Sequence, residues 1–156
     1  ANHSETIQID YDPTKISYEA LLEVFWDSHS PVQPSYSRQY ASLIFYHNAE
    51  QEQAARVSKE QEEELRGRRI FTEIVPAGEF HLAEDYHQKY YLRGNGSLLA
   101  EFAALLPDAD DFVNSTAVAR ANGYVGGNGT RSQLEAEIDR LGLTAAGQEA
   151  LRRLVE

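Results

Sequence analysis

A carboxylate set among alternating apolar residues is the first feature of this sequence that could do chemistry. From Glu5 to Tyr11 the side chains alternate, with Ile7, Ile9 and Tyr11 of one parity and Thr6, Gln8 and Asp10 of the other, the pattern of a half-buried strand. Glu5 shares the parity of the isoleucines. Facing an apolar side, its carboxyl would hold a proton more tightly and could deliver it to a bound oxygen; a solvated chain end is the simpler alternative.

His81, Glu84, Asp85 and His87 form a second group of chemically capable side chains. Their spacing matches no diagnostic zinc pattern, and no cysteine completes one. An oxygen-ligated metal enzyme is therefore the least favoured reading, and neither a metal nor another cofactor is expected. The glycine-rich run from Asn122 to Gly129 lacks the Lys-Ser or Lys-Thr of a phosphate loop. Arg38, in a proline-containing loop, would either compensate Glu5, recognise an anion or stand in water. With Cys 0, the 156 residues contain no thiol nucleophile, redox pair or disulfide.

The charge balance narrows the partners. Lys and Arg number 14 against 25 Asp and Glu, a net charge of −11, which disfavours nucleic acid and anionic membranes. No apolar run approaches the roughly 20 residues that span a bilayer. The expected setting is cytoplasmic.

The elements that must position these residues follow in β-α-β-α-β order. Ser17 is placed to cap a helix bearing Tyr18, Leu21, Leu22, Phe25, Trp26 and His29, ended by Ser30-Pro31. Ala41–Tyr46 reads as a strand, Asn48 and Gln51 as a capping pair for a helix over 49–65, and Ile70–Val75 as another strand. Short helices are expected around 98–106 and over 109–121, then after the capping box Thr130/Gln133 and after Thr144. Asn122–Gly129 is expected to be a loop. The fold class is α/β: a two-layer mixed sheet with helices over residues 1–93 and a carboxyl-terminal helical extension over 94–156.

Several dissimilar motifs now occur in a recognisable order. They are His3-Ser4-Glu5, Asp10-Tyr11-Asp12-Pro13 before Ile16-Ser17-Tyr18-Glu19, Phe25-Trp26 with His29 and Pro31, Gln39-Tyr40 before Ser42, Ile44-Phe45-Tyr46, Pro76-Ala77-Gly78-Glu79-Phe80, and Glu84-Asp85-Tyr86-His87-Gln88-Lys89-Tyr90. Over roughly the first 90 residues the chain resembles the carboxyl-terminal part of class A peptide methionine sulfoxide reductases.

The resemblance implies a two-layer α/β scaffold and reduction of the S epimer of methionine sulfoxide, free or in an oxidised peptide. In that family a cysteine of a Gly-Cys-Phe-Trp motif attacks the sulfoxide sulfur, a glutamate assists protonation of the oxygen, and tyrosines hydrogen-bond it. The glutamate role falls on Glu5 and a tyrosine role on Tyr40, with His3, Gln39, Asp85, Tyr86 and His87 as pocket or supporting residues. His87 is expected in a structural hydrogen-bond network helped by Tyr86 and Tyr90.

The segment that carries Gly-Cys-Phe-Trp would precede the equivalent of Ala1, so no nucleophile is transferred. An external thiol reductant is implied where that segment exists. The chain departs from the family in its shorter Pro31–Arg38 loop and in having Ser35 where many members place an aspartate. Tyr124-Val125-Gly126-Gly127 imitates another family turn, out of order. The alternative from a different class is a non-enzymatic module that binds a methyl sulfoxide or another protein.

Overall fold

The computed structural model describes residues 3–155. The chain divides into two compact units, one ending at Phe80 and the other beginning at His81.

In the first unit, helix α1 (Tyr18–Asp27) begins where Ser17 Oγ accepts the Ala20 N–H, satisfying one of the donors a helix start leaves open. Strand β1 (Leu43–Tyr46), helix α2 (Ala49–Arg66) and strand β2 (Glu73–Pro76) follow. The strands pair in parallel, Leu43 opposite Glu73 and Tyr46 opposite Pro76, with α2 as the connection that parallel strands require. Asn48 Oδ1 accepts the Gln51 N–H, while Gln51 Oε1 reaches back one residue further than expected, to the His47 N–H. Gly67 closes α2 at φ +60°, a conformation in which a side chain would clash with its own backbone.

Leu22, Trp26, Ile44, Ala55 and Ile70 form the buried centre of this unit. Trp26 is only 1% exposed, and its indole N–H donates to Ser58 Oγ on α2. The polar tip of the largest core residue is thereby satisfied. Among the described residues, no buried side-chain nitrogen or oxygen lacks a hydrogen-bond partner.

The strand predicted over Glu5–Tyr11 is not formed. This stretch is extended but outside the sheet, with Ile7 81% and Ile9 53% exposed. Alternation supplies a strand's face but not its partner, and without cross-strand bonds the stretch is merely extended chain. The turn after it is built locally: Asp12 Oδ1 accepts both the N–H and the hydroxyl of Thr14, and these bonds hold the Asp12 carboxyl below its ordinary pKa.

The second unit contains α3 (Tyr90–Arg93), α4 (Gly96–Leu105), α5 (Ala109–Asn114), α6 (Thr116–Val125), α7 (Arg131–Glu137) and α8 (Ala145–Arg152). The single helix predicted over 109–121 is two. Ser115 ends α5 and turns its hydroxyl to the Val118 N–H as the cap of α6, the backbone competition that makes serine a helix boundary. The loop predicted from Asn122 begins later, because burial of Ala121 and Tyr124 carries α6 through Gly123 to Val125. The Thr130/Gln133 capping box and the Thr144 cap form as predicted. Leu92, Leu98, Phe102, Val118, Leu134 and Leu151 lie at the centre of the core. Among the described residues no helix is long and apolar enough to cross a membrane.

Candidate functional site

Glu5 and Gln39, separated by 34 residues, meet through two bonds. The Glu5 N–H donates to the Gln39 carbonyl at 2.9 Å, and Gln39 Nε2 donates to Glu5 Oε1 at 2.7 Å. Ser4 adds a third, its hydroxyl donating to the Arg38 carbonyl at 2.7 Å. The acceptor residues lie on a tight 3-10 turn, Arg38–Tyr40, so the clasp sets the carboxylate beside the segment that presents Tyr40. Glu5 is exposed, not turned into an apolar environment, and Tyr40 is 68% exposed.

Arg38 neither compensates Glu5 nor stands alone in water. Its guanidinium donates to Glu73 Oε2 at 2.9 Å, anchoring the turn to β2. Ser35 accepts the Ser37 N–H and donates to the Ser37 carbonyl, so this hydroxyl shapes its own loop.

Behind the turn runs a hydrogen-bond relay that sequence reasoning missed. His29 Nδ1 lies 2.9 Å from the Phe25 carbonyl, His29 Nε2 lies 2.8 Å from Ser42 Oγ, and Ser42 Oγ lies 2.7 Å from Thr72 Oγ1. A carbonyl only accepts, so Nδ1 carries the proton. In the neutral ring Nε2 then accepts from Ser42, whose oxygen accepts in turn from Thr72. Thr72 is 1% exposed, and Lys59 Nζ donates to its carbonyl at 2.7 Å. The relay joins the end of α1, the residue two places after Tyr40, and the residue before β2. The available signal was a serine and a threonine each directly preceding strand residues in an otherwise apolar core.

The remaining predicted residues lie in, or before, other segments. His3 is exposed, two residues ahead of Glu5. Asp85, Tyr86 and His87 belong to the second unit, in a turn where the His87 N–H donates to the Glu84 carbonyl and the Gln88 N–H to the Asp85 carbonyl. The Tyr86 and His87 rings lie 4.3 Å apart, and His87 Nε2 is 3.9 Å from Glu84. Tyr86, Tyr90, Tyr91, Arg93 and Gly94 line a shallow hollow. Lys89, partly buried at φ 54°, has its ammonium pKa lowered by desolvation. Among the described residues no group of three or more His, Cys, Asp or Glu could hold a metal ion.

Tyr124 and the glycines after it serve the helical core. Its hydroxyl donates to Glu137 Oε1 at 2.8 Å, and a Cβ at Gly126 would meet the Tyr91 ring at 2.7 Å.

The profile of the family described as peptide methionine sulfoxide reductase matches residues 1–120, well over half of the chain. The chain belongs to the peptide methionine sulfoxide reductase family. A second profile, the helical domain of selenoprotein methionine sulfoxide reductase A, matches residues 108–156. A peptide methionine sulfoxide reductase of Drosophila melanogaster is 43% identical over 146 residues, covering 92% of this chain and 58% of that protein. Peptide methionine sulfoxide reductase MsrA of Geobacter sulfurreducens is 47% identical over 103 residues, 61% of this chain and 64% of that protein. That of Methanosarcina acetivorans is 47% identical over 96 residues, 57% of this chain and 51% of that protein. The chain thus spans less than two thirds of the length of these reductases.

Proposed function

We propose that these 156 residues are the proton-donating and oxygen-binding portion of a peptide-methionine (S)-S-oxide reductase, and that the attacking thiol is supplied from outside them. The observation that carries this reading is the double tie between Glu5 and Gln39, which binds the Glu5 carboxyl to the residue directly before Tyr40 in a chain of this family.

The chemistry asks for such a pair. A thiolate attacks the electrophilic sulfur while the sulfoxide oxygen takes up protons and departs as water; a second thiol then displaces the sulfide and leaves a disulfide. One methionine sulfoxide and two thiols become one methionine, one disulfide and one water. Glu5, when protonated, is the acid for the oxygen, and the Tyr40 hydroxyl is a donor that stabilises it as charge develops. Gln39 orients the Glu5 carboxyl by donating to one oxygen and leaving the other for the substrate. With no cysteine in the 156 residues, neither thiol comes from them: the attack needs a cysteine on a segment outside them, and an external thiol reductant then regenerates that cysteine. Motif order supports supporting roles for His3, Asp85, Tyr86 and His87.

Substitution in the complete gene product tests the assignment. Glu5→Gln is expected to reduce kcat for S-epimer methionine sulfoxide by about a hundredfold or more, the usual scale of acid–base assistance. Tyr40→Phe is expected to lower it by about tenfold to a hundredfold with the fold intact. Full activity in Glu5→Gln would remove the acid from this position.

A further inference from the structure

Three Asn-Gly pairs occur in the chain, Asn95-Gly96, Asn122-Gly123 and Asn128-Gly129, and the fold treats them differently. We propose that Asn128 is a modification site at which the side-chain amide is lost by intramolecular attack of the next residue's backbone nitrogen, while the other two pairs are protected.

The step needs a side chain free to turn toward the following backbone nitrogen and a nitrogen free to attack. Asn95 lacks the first freedom: its side chain caps α4, Oδ1 accepting the Leu98 N–H at 3.3 Å and the Ser97 hydroxyl at 3.0 Å. Asn122 lies inside α6, its Oδ1 accepting the Leu92 N–H at 3.1 Å, and Gly123 is held in the helix ladder. Asn128 is exposed in the turn between α6 and α7, and among the described residues its side chain is restrained only by a long 3.4 Å bond from Nδ2 to the Gly126 carbonyl. Its own backbone N–H is fixed on the Gly123 carbonyl at 2.9 Å, whereas the Gly129 N–H makes no hydrogen bond among the described residues.

The fold also dictates the glycine that makes this pair reactive. Gly129 sits at φ +88°, and a Cβ there would lie 2.7 Å from Tyr124 Cε1. Tyr124 is itself fixed, buried and donating to Glu137. A side chain at 129 that would hinder attack is excluded by the packing that makes the turn.

In the reaction the Gly129 nitrogen loses its proton and bonds to Asn128 Cγ. The Cγ–Nδ2 bond breaks, ammonia leaves carrying the proton, and a cyclic imide results. Water opens the imide at either carbonyl, giving aspartate or its β-linked isomer. Nothing is oxidised or reduced. The β-linked product adds a methylene to the backbone just before the Thr130/Gln133 capping box of α7.

Peptide mapping of the 156-residue chain, aged folded at mildly alkaline pH and in parallel in urea, tests this. Fragmentation separates Asn122 from Asn128, which share the tryptic peptide 121–131. In the folded chain Asn128 is expected to convert at least about tenfold faster than Asn95 or Asn122, because those two must first open locally. The three rates should converge in urea, and Asn128→Gln should remove the leading signal. Conversion of Asn95 or Asn122 as fast as Asn128 in the folded chain would overturn the proposal.

Discussion

Glu5 and Gln39 hold each other twice, backbone to backbone at 2.9 Å and side chain to side chain at 2.7 Å. The backbone bond places the segment and the side-chain bond aims the carboxyl. Gln39→Leu keeps the first and removes the second. In the complete gene product it is expected to lower sulfoxide reduction by about tenfold through misorientation of Glu5. Stability should change by no more than about 0.5 kcal/mol, as for other exposed sites. Parallel kinetics and denaturant unfolding check this; equal loss of activity and stability would make Gln39 a structural residue only.

The His29–Ser42–Thr72 relay gives a stability prediction. Thr72→Val keeps the shape and removes the hydroxyl that donates to Ser42, leaving that oxygen short of a partner. The cost should be about 1–3 kcal/mol in denaturant unfolding. Thr72→Ser retains the donor and should cost less.

How much of this could be read beforehand differs from residue to residue. Ser17, Thr130 and Thr144 were legible as helix caps because a cap is a local contract between a side chain and an N–H two or three residues on. The α/β order was legible because apolar spacing distinguishes α1 and α2 from the strands between and after them. The extended Glu5–Tyr11 stretch was misread for the converse reason: pairing is a property of two segments, and one segment's alternation cannot supply it. Motif order nominated Glu5, Gln39 and Tyr40, but not the bonds between Glu5 and Gln39. Those bonds, like Arg38–Glu73 and Ser42–Thr72, join residues 30 or more apart, and local patterns do not encode such separations.

Two left-handed glycines separate backbone strain from packing. A Cβ at Gly67, φ +60°, meets nothing within 4 Å, so Gly67→Ala should cost only the conformational penalty, about 1–2 kcal/mol. At Gly129 the same change also drives a Cβ into Tyr124. Gly129→Ala should therefore be the more destabilising of the two, and comparable costs would contradict the packing of Tyr124.

Glu135 gives the helical unit an acid-sensitive tie. Its carboxylate is bound by Arg152 from α8 and Arg131 on its own helix, and these hydrogen bonds hold its pKa below the ordinary value. A lowered folded-state pKa means that the unfolded chain binds the proton first as pH falls. The stabilisation is therefore complete above the ordinary glutamate pKa and is lost as pH descends through the lowered one. Unfolding followed from neutral to acid pH should show this loss, and Glu135→Gln should flatten that part of the profile. An unchanged profile would place the acid sensitivity elsewhere.

The proposal that the proton donor lies in these residues and the attacking thiol outside them stands or falls on thiol-dependent turnover of S-epimer methionine sulfoxide with excess dithiothreitol, measured side by side for the purified 156-residue chain and the complete gene product. No turnover above the uncatalysed thiol reaction is expected from the 156 residues, which contain no cysteine, and multiple turnovers are expected from the complete product. Reproducible turnover tracking the 156-residue chain itself, or a complete product that contains no cysteine and reduces no sulfoxide, would contradict it.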